Sequence, residues 1–267
     1  MLKRYFLSGL PRTGSTLLGA ILSQNPLIHV TPTSPLLPAL IGTVHLYATL
    51  GAQHTFECES VRNHILRETI DAVHSNVERP IVFDKNRGWP EQVQAIKNFI
   101  EPEPRIVATV RPIAEIVASY ITLCKKDKDN WIDRHIKADK QPVNNENRAT
   151  LIWQRYLATT HGLFTEALQL YPENILVVQY DDLMHNPHGT LKRIYRFCGL
   201  EHFEHSTNNI TPLVPEEKDE EWGAKGLHTI RPKLNRKSVA PSVYLSDEII
   251  ATLSQFDITE QSWHANL

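Results

Sequence analysis

The residues best suited to chemistry lie near the start of the chain, in a short glycine-containing turn between an apolar run and an amphipathic one. Residues 5–18 read YFLSGLPRTGSTLL. A strand that ends in such a turn and leads into a helix directs unpaired backbone N–H groups, and the positive end of the helix dipole, at one point. This segment therefore indicates an anion site, with phosphate as the natural ligand.

The spacing within this turn resembles that of nucleotide-binding loops. Gly9 and Gly14 are separated by four residues, as in the pattern GxxxxGK[ST], but Ser15 stands where that pattern has lysine. The cation of the segment is Arg12, inside the turn. ATP or GTP hydrolysis is therefore disfavoured. For the turn alone, a structural αβ connection that only caps a helix remains the alternative.

A second arginine-and-hydroxyl pair lies roughly 100 residues further along. Residues 107–120 read VATVRPIAEIVASY, a predicted strand that ends at Arg111 and runs into a helix carrying Ser119. Eight residues of helix make a little over two turns, so the Ser119 hydroxyl can lie on the face next to the strand end. Together the two side chains are suited to a second phosphate.

These two motifs resemble those of the sulfotransferases that use 3′-phosphoadenosine 5′-phosphosulfate (PAPS). Residues 11–16, PRTGST, are similar to the family's 5′-phosphosulfate loop, P-[KR]-[ST]-G-[ST]-[ST], and Arg111 with Ser119 is similar to its 3′-phosphate motif. The order and separation of the motifs also fit. Bacterial members and the tyrosylprotein and carbohydrate branches look closer than the small cytosolic phenol branch, whose loop has lysine and is followed by tryptophan.

The resemblance implies in-line transfer of a sulfuryl group from PAPS to a hydroxyl or amine, with release of 3′-phosphoadenosine 5′-phosphate (PAP). Fixed cations can neutralise the charge on the leaving phosphate, so no metal is required. Arg12 is then the cation at the bridging oxygen. The nucleotide contacts that the resemblance implies are Arg12, Thr13, Gly14, Ser15 and Thr16 at the 5′ end, Arg111 and Ser119 at the 3′ end, the aromatic Tyr180, and Lys225 with Gly226 in a C-terminal loop. For Tyr180, a core position is the alternative.

A third cluster follows the next predicted strand, where residues 81–89 read IVFDKNRGW. Charged side chains directly after a buried strand lie at the carboxyl edge of the sheet, where open α/β folds bind ligands. Lys85 matches a lysine that the family carries here, close to the transferred group. Asp84 is the first choice for the general base, although an aspartate that caps a strand-end turn is an equally good interpretation.

The usual base of the family is missing from this sequence. Cytosolic members have histidine in a Lys-Thr-His run, but here residues 85–87 read KNR. Tyrosylprotein members have glutamate just past the first helix, but residues 29–34 read HVTPTS. His29 is the reserve candidate.

Composition excludes several classes of protein. The 267 residues carry a net charge of -2, with 41% hydrophobic and 22% charged residues, so no field covers the chain that would hold nucleic acid or an anionic membrane. Three cysteines without a CxxC pair argue against disulfides or zinc and favour a reducing compartment. Pro11 and Arg12 interrupt the apolar start, and no run approaches the roughly 20 apolar residues that span a bilayer. We expect a cytoplasmic protein.

Thirteen histidines raise the question of a metal site. His185 with His188, and His202 with His205, have i, i+3 spacing, but Pro187 interrupts the first pair and no third ligand is in register. They are interpreted as surface histidines.

Short apolar runs alternate with segments of helical period, which predicts βαβ units. We expect one domain over residues 1–267, an α/β three-layer P-loop-like fold with a central parallel sheet of four to five strands flanked by helices. Predicted strands are Arg4–Ser8, Pro80–Asp84, Arg105–Val110 and Asn174–Gln179. Predicted helices span about 14–24, 35–50, 60–76, 90–100, 112–125, 146–171 and 187–198. Residues 126–145 and 203–243 are predicted to be long loops.

The acceptor is predicted to be a small molecule, sugar or lipid, selected by the loops at 30–60, 126–145 and 203–243; the sequence leaves the oligomeric state open. Two other functions remain. One is a P-loop kinase with a displaced cation, which would need Mg²⁺ and Asp84 as its ligand. The other is a nucleotide-binding protein without catalysis, which the missing base favours.

Overall fold

A computed structural model describes residues 2–49, 58–213, 229–235 and 239–259 of the chain. Within these residues five parallel strands form one sheet. The strands are β1 (Lys3–Gly9), β2 (Ile28–Val30), β3 (Ile81–Lys85), β4 (Ile106–Val110) and β5 (Ile175–Gln179). Their order across the sheet is β2-β3-β1-β4-β5.

Helices connect the strands and cover both faces of the sheet. The α-helices are α1 (Ser15–Leu22), α2 (Leu36–Thr49), α3 (Cys58–Val73), α4 (Val93–Phe99), α5 (Ile113–Lys126), α6 (Trp131–Ala138), α7 (Asn145–Ile152), α8 (Ala158–Leu170), α9 (Tyr180–His185), α10 (Pro187–Phe197) and α11 (Asp247–Ser254). Short 3₁₀ turns at Pro90–Gln92, Pro172–Asn174 and Pro241–Val243 and a π-helical turn at Trp153–Leu157 complete them.

Two apolar cores, one on each face, explain why the strands are apolar throughout. Successive side chains of a strand point to opposite faces. Tyr5 and Leu7 of β1 accordingly pack with α1 and α10, whereas Phe6 packs with α4, α5 and α8. The predicted three-layer α/β fold with a parallel sheet of four to five strands is confirmed.

The sheet order places one topological switch point between β1 and β4. From β1 the chain crosses first to the edge strand β2, returns to β3 beside β1, and then adds β4 and β5 on the other side. Helices that leave neighbouring strands in opposite directions open a crevice at their carboxyl ends, and ligands bind there. The turn after β1 and Arg111 after β4 border this crevice.

The four predicted strands are present, but several expectations were wrong. Residues 126–145 are not a loop, because α6 forms there: Asn130 caps it by accepting from the backbone N–H of Asp133, and Ile132 and Ile136 enter the core. These two isoleucines, one helical turn apart, are too few among polar neighbours to give a clear helical period in the sequence. The single helix predicted over 146–171 is divided by the π-helical turn. The short strand β2 and the helices α9 and α11 were also missed.

Of the second predicted loop, 203–243, the described residues contain neither an α-helix nor a strand before the turn at Pro241–Val243. Two of its described stretches, 203–213 and 229–235, are joined by backbone hydrogen bonds: Ile210 donates to Pro232 and Leu234 donates to Thr207, at 2.9 and 2.8 Å. No helix in the described ranges is long and apolar enough to cross a membrane.

Candidate active site

A cleft of about 1080 Å³ opens at the carboxyl edge of the sheet, at the switch point between β1 and β4. It is lined by most of the residues that the sequence singled out. These are Arg12, Gly14, Ser15, Thr16, Lys85, Arg111, Ser119 and Tyr180. Thr13 and Asp84 do not line it, and Lys225 and Gly226 lie outside the described residues.

The turn after β1 has a backbone that only certain residues adopt easily. Gly9 and Gly14 have φ of 148° and 91°, and Arg12 has φ of 64°. A side chain on Gly9 would collide with both Thr109 and Thr13. The N-cap residue of α1 is Gly14, which has no side chain to cap the first turn, and the N–H groups of such a turn are suited to an anion.

Thr13 holds the turn to the sheet with its side chain. It is fully buried, and its hydroxyl donates to the carbonyl of Leu10 at 2.6 Å and shares a hydrogen bond of 2.7 Å with the Thr109 hydroxyl. The expected nucleotide contact of Thr13 is therefore restricted to its backbone N–H. Thr109, on β4, was missed because nothing local marks it as a neighbour of the turn.

Arg111 follows β4 on the other side of the crevice and is nearly buried. Its guanidinium contacts Glu115, the Tyr180 ring and the carbonyl of Arg12. Its Nε and Nη2 donate to Glu115 Oε2 at 2.9 and 2.7 Å, and the guanidinium carbon lies 4.6 Å from the centre of the Tyr180 ring. Glu115 was also missed, although an Arg–Glu pair four residues apart around a helix start is a usable signal. Held in this way, Arg111 lines the cleft.

The two arginine sites are in direct contact. Arg111 Nη1 donates to the carbonyl of Arg12 at 3.4 Å, and Arg12 Nε donates to the Ser119 hydroxyl at 3.1 Å. The Tyr180 ring packs directly against Gly14: a Cβ atom at this position would lie only 2.8 Å from the ring. The structure thus brings the two predicted phosphate pockets together.

Lys85 enters the cleft from the end of β3. Its backbone N–H donates to the Thr31 hydroxyl at 2.7 Å, and its ammonium donates to the carbonyl of Pro32 at 2.8 Å. Burial, with a smaller contribution from the cation Arg87, lowers the pKa of Lys85 to about 8. The side chain is therefore still cationic at neutral pH but close to losing its proton.

Comparison with models of protein families tests the family relationship that the two motifs indicated. The model of the sulfotransferase family matches residues 5–205. The chain belongs to the sulfotransferase family. A search of curated proteins found no significant match.

Solved sulfotransferases share the fold at low sequence identity. A mouse sulfotransferase, SULT7A1 complexed with PAP, is 14% identical, with 95% of this chain and 82% of that chain covered at a TM-score of 0.53. The Mycobacterium avium sulfotransferase STF9 is 13% identical, with 94% of this chain and 75% of that chain covered at a TM-score of 0.51. These likenesses support the sulfotransferase fold.

Asp84, the first choice for the general base of this sulfotransferase-family chain, lies behind the wall of the cleft. It is fully buried, and its carboxylate accepts hydrogen bonds from Ser34 at 2.5 Å, Trp89 Nε1 at 2.9 Å and, on the same oxygen as Ser34, His74 Nε2 at 2.9 Å. Both oxygens are thus engaged away from the cleft. These contacts favour a structural role for Asp84 at the end of β3, in line with the alternative of a strand-end cap, and the role of general base stays a prediction.

Replacing Asp84 with asparagine tests that assignment. We expect the free energy of unfolding to fall by about 2–4 kcal/mol, because an amide nitrogen would face buried donors. Urea denaturation measures this loss. The folded fraction should keep most of its transfer rate, whereas a rate that falls a hundredfold or more in stably folded protein would restore Asp84 as the base.

None of the histidines in the described residues, His29 included, lines the cleft. His29 lies in β2 opposite Val82 and is not among the lining residues. The expectation of surface histidines was wrong for His205, which is buried and bonded to the Tyr195 hydroxyl at 2.9 Å; burial lowers its pKa to about 4. Among the residues described, no cluster of three His, Cys, Asp or Glu side chains could hold a metal ion.

Proposed function

We propose that the chain transfers a sulfuryl group from PAPS to a hydroxyl or amine of a small-molecule, sugar or lipid acceptor. The observation that carries this is the contact between the two phosphate pockets, through Arg12, Arg111 and Ser119. A nucleotide phosphorylated at both 3′ and 5′ carries its two anionic groups on one ribose, so a protein that binds it needs two adjoining anion pockets. The family membership and the cleft volume agree with this proposal.

The cleft residues described above then have the following roles. The N–H groups of the turn and of the first turn of α1 bind the 5′-phosphate, and Arg111 with Ser119 binds the 3′-phosphate. The Tyr180 ring holds the guanidinium of Arg111 in place by a cation–π contact. PAPS supplies the activated sulfuryl group.

Two cations act where charge develops during transfer. Arg12 neutralises the bridging oxygen as the bond to the leaving phosphate breaks, and Lys85 orients the sulfuryl oxygens. Donors that are already in place cost no reorganisation at the moment of reaction, and this is why fixed cations accelerate such a step.

The second candidate function is nucleotide binding without catalysis. It is favoured by one observation: neither Asp84 nor His29, the two candidate bases, lines the cleft. A P-loop kinase is disfavoured, because Asp84 would have to hold Mg²⁺ and both its oxygens are already bonded to buried donors.

Two measurements separate these functions. Titration calorimetry with PAP tests the nucleotide site, and release of PAP from PAPS in an EDTA-containing buffer, across a panel of phenols, sugars, amines and lipids, tests transfer. Binding followed by transfer supports the sulfotransferase. Binding with no transfer to any acceptor supports the second candidate, and absence of PAP binding contradicts both.

The pH dependence of the reaction should depend on Lys85. With its pKa lowered to about 8 from 10.5, its cationic form is lost as pH rises through 8. We expect kcat/KM for PAPS, measured with an aliphatic alcohol acceptor that does not titrate, to fall about tenfold per pH unit above that value. In Lys85→Arg the guanidinium stays charged, so the decline near pH 8 should disappear. A decline that persists in this variant would assign it to another group.

A further inference from the structure

The cleft extends well past the two phosphate pockets, along the side of α5. Beyond Ser119 its wall continues through Leu123 and Lys126 to the turn at Asp127 and Lys128. Ser119 and Lys126 are seven positions apart on α5, so they lie about two turns apart on the same face of the helix. This extension has room for an acceptor beside the nucleotide.

Arg87, in the segment that follows β3, also lines this cleft. It follows β3 by two residues, in the run where cytosolic relatives have their histidine, and it is exposed and lines the cleft. Burial raises the pKa of Tyr120 on α5, and the nearby cations Arg87 and Arg12 oppose that rise. Arg87 and Arg12 thus both act electrostatically on Tyr120, which directly follows Ser119.

The three exposed cations of this region, Arg87, Lys126 and Lys128, make no ion pair with any acidic residue in the described ranges. Asp127 is the acidic residue among them, and one of its oxygens accepts from the backbone N–H of Asp129 at 3.0 Å. The region is therefore net positive. Clefts lined by charge of one sign concentrate ligands of the opposite sign.

The anionic groups of the nucleotide do not account for these cations. Under the proposed function, Arg12, Lys85 and Arg111 already meet the 5′-phosphosulfate and the 3′-phosphate. We propose that the acceptor itself carries an anionic group, a carboxylate or a phosphate, which Arg87, Lys126 and Lys128 bind while its hydroxyl or amine faces Lys85. The planar fork of Arg87 suits either group, since both accept paired hydrogen bonds.

The inference rests on the proposed function, so its test begins with protein saturated with PAP. Three probes share a phenol and differ in charge: 4-hydroxyphenylacetate, 4-hydroxybenzylphosphonate and the neutral 4-hydroxyphenylacetamide. Their dissociation constants are measured by saturation-transfer NMR titration at low ionic strength. We expect at least one anion to bind about tenfold more tightly than the amide, because each solvent-exposed charge contact contributes a few-fold. The better of the two anions identifies the group as carboxylate or phosphate.

The triple variant Arg87→Gln/Lys126→Gln/Lys128→Gln should lose this preference while its PAP affinity and melting temperature stay near those of the wild type. The matched control is Lys125→Gln, which removes an exposed cation from the same end of α5 that does not line the cleft; it should keep the preference. Equal binding of all three probes, no binding by any, or a preference that survives in the triple variant overturns the inference. Failure of PAP to bind would instead overturn the proposed function.

Discussion

Replacing Arg111 with alanine is expected to weaken PAP binding about 30- to 3,000-fold, since truncating one partner of a buried charge pair costs about 2–5 kcal/mol. The loss should be specific to the 3′-phosphate. Wild-type protein should therefore prefer PAP to AMP strongly, and Arg111→Ala should bind the two about equally. Titration calorimetry with both nucleotides on both proteins measures this change.

The nearly buried position of Arg111 makes a stability control necessary. Its loss leaves Glu115 without the 2.7 Å ion pair, so a lower melting temperature is expected alongside weaker binding. Arg134→Ala is the matched control, because Arg134 is exposed on α6 and outside the cleft. If folded Arg111→Ala still distinguished PAP from AMP as well as the wild type does, the assignment of this pocket to the 3′-phosphate would fail.

The second large effect is expected at Arg12, and it should fall on the rate more than on binding. Charge on the bridging oxygen develops only in the transition state, and removing one preorganised donor typically lowers kcat by about 100- to 1,000-fold. Arg12→Ala should therefore reduce kcat by about that factor, with a much smaller loss of PAP affinity. Single-turnover release of PAP from PAPS, with an acceptor identified by the panel, measures the rate.

Arg12→Lys provides the control for charge. The family's loop pattern has lysine or arginine at this position, so Arg12→Lys should keep kcat within about tenfold, although it loses the donor that reaches Ser119. The assignment would be contradicted if Arg12→Ala lost PAP affinity in proportion to its rate, because Arg12 would then bind the nucleotide without acting on the leaving group.

The fold was predictable where short-range patterns determine it. Buried strands are apolar throughout, and turns are marked by glycine and proline, so β1, β3, β4 and β5 and the helices α1 to α5 were predicted close to their true bounds. The helix α6 was missed because Ile132 and Ile136 are its only buried apolar side chains in an otherwise polar stretch. The buried ion pair of Asp133 with Arg148, at 2.7 Å, holds it to the rest of the protein. That partner lies on α7, beyond the reach of any local pattern.

The residues of the candidate site likewise fall into those that local motifs identify and those that only the fold places. Arg12 and the turn around it, and Arg111 with Ser119, could be identified because each motif is a strand end, a turn and a helix start within a few residues. Asp84 could not be interpreted from its neighbours along the chain, since its partner His74 directly follows α3 and only the fold brings the two side chains together.

The sequence by itself therefore determined the α/β class and, through two motifs predicted to bind anions, the family, because these depend on backbone geometry over one strand, turn and helix. The tertiary structure alone decided that the two motifs adjoin, that the Asp84 carboxylate is buried outside the cleft and that Arg87 lines the cleft. The reason is the order of the strands: placing β4 beside β1 brings together residues about 100 positions apart. Strand order follows from packing of the whole chain, which no local spacing records.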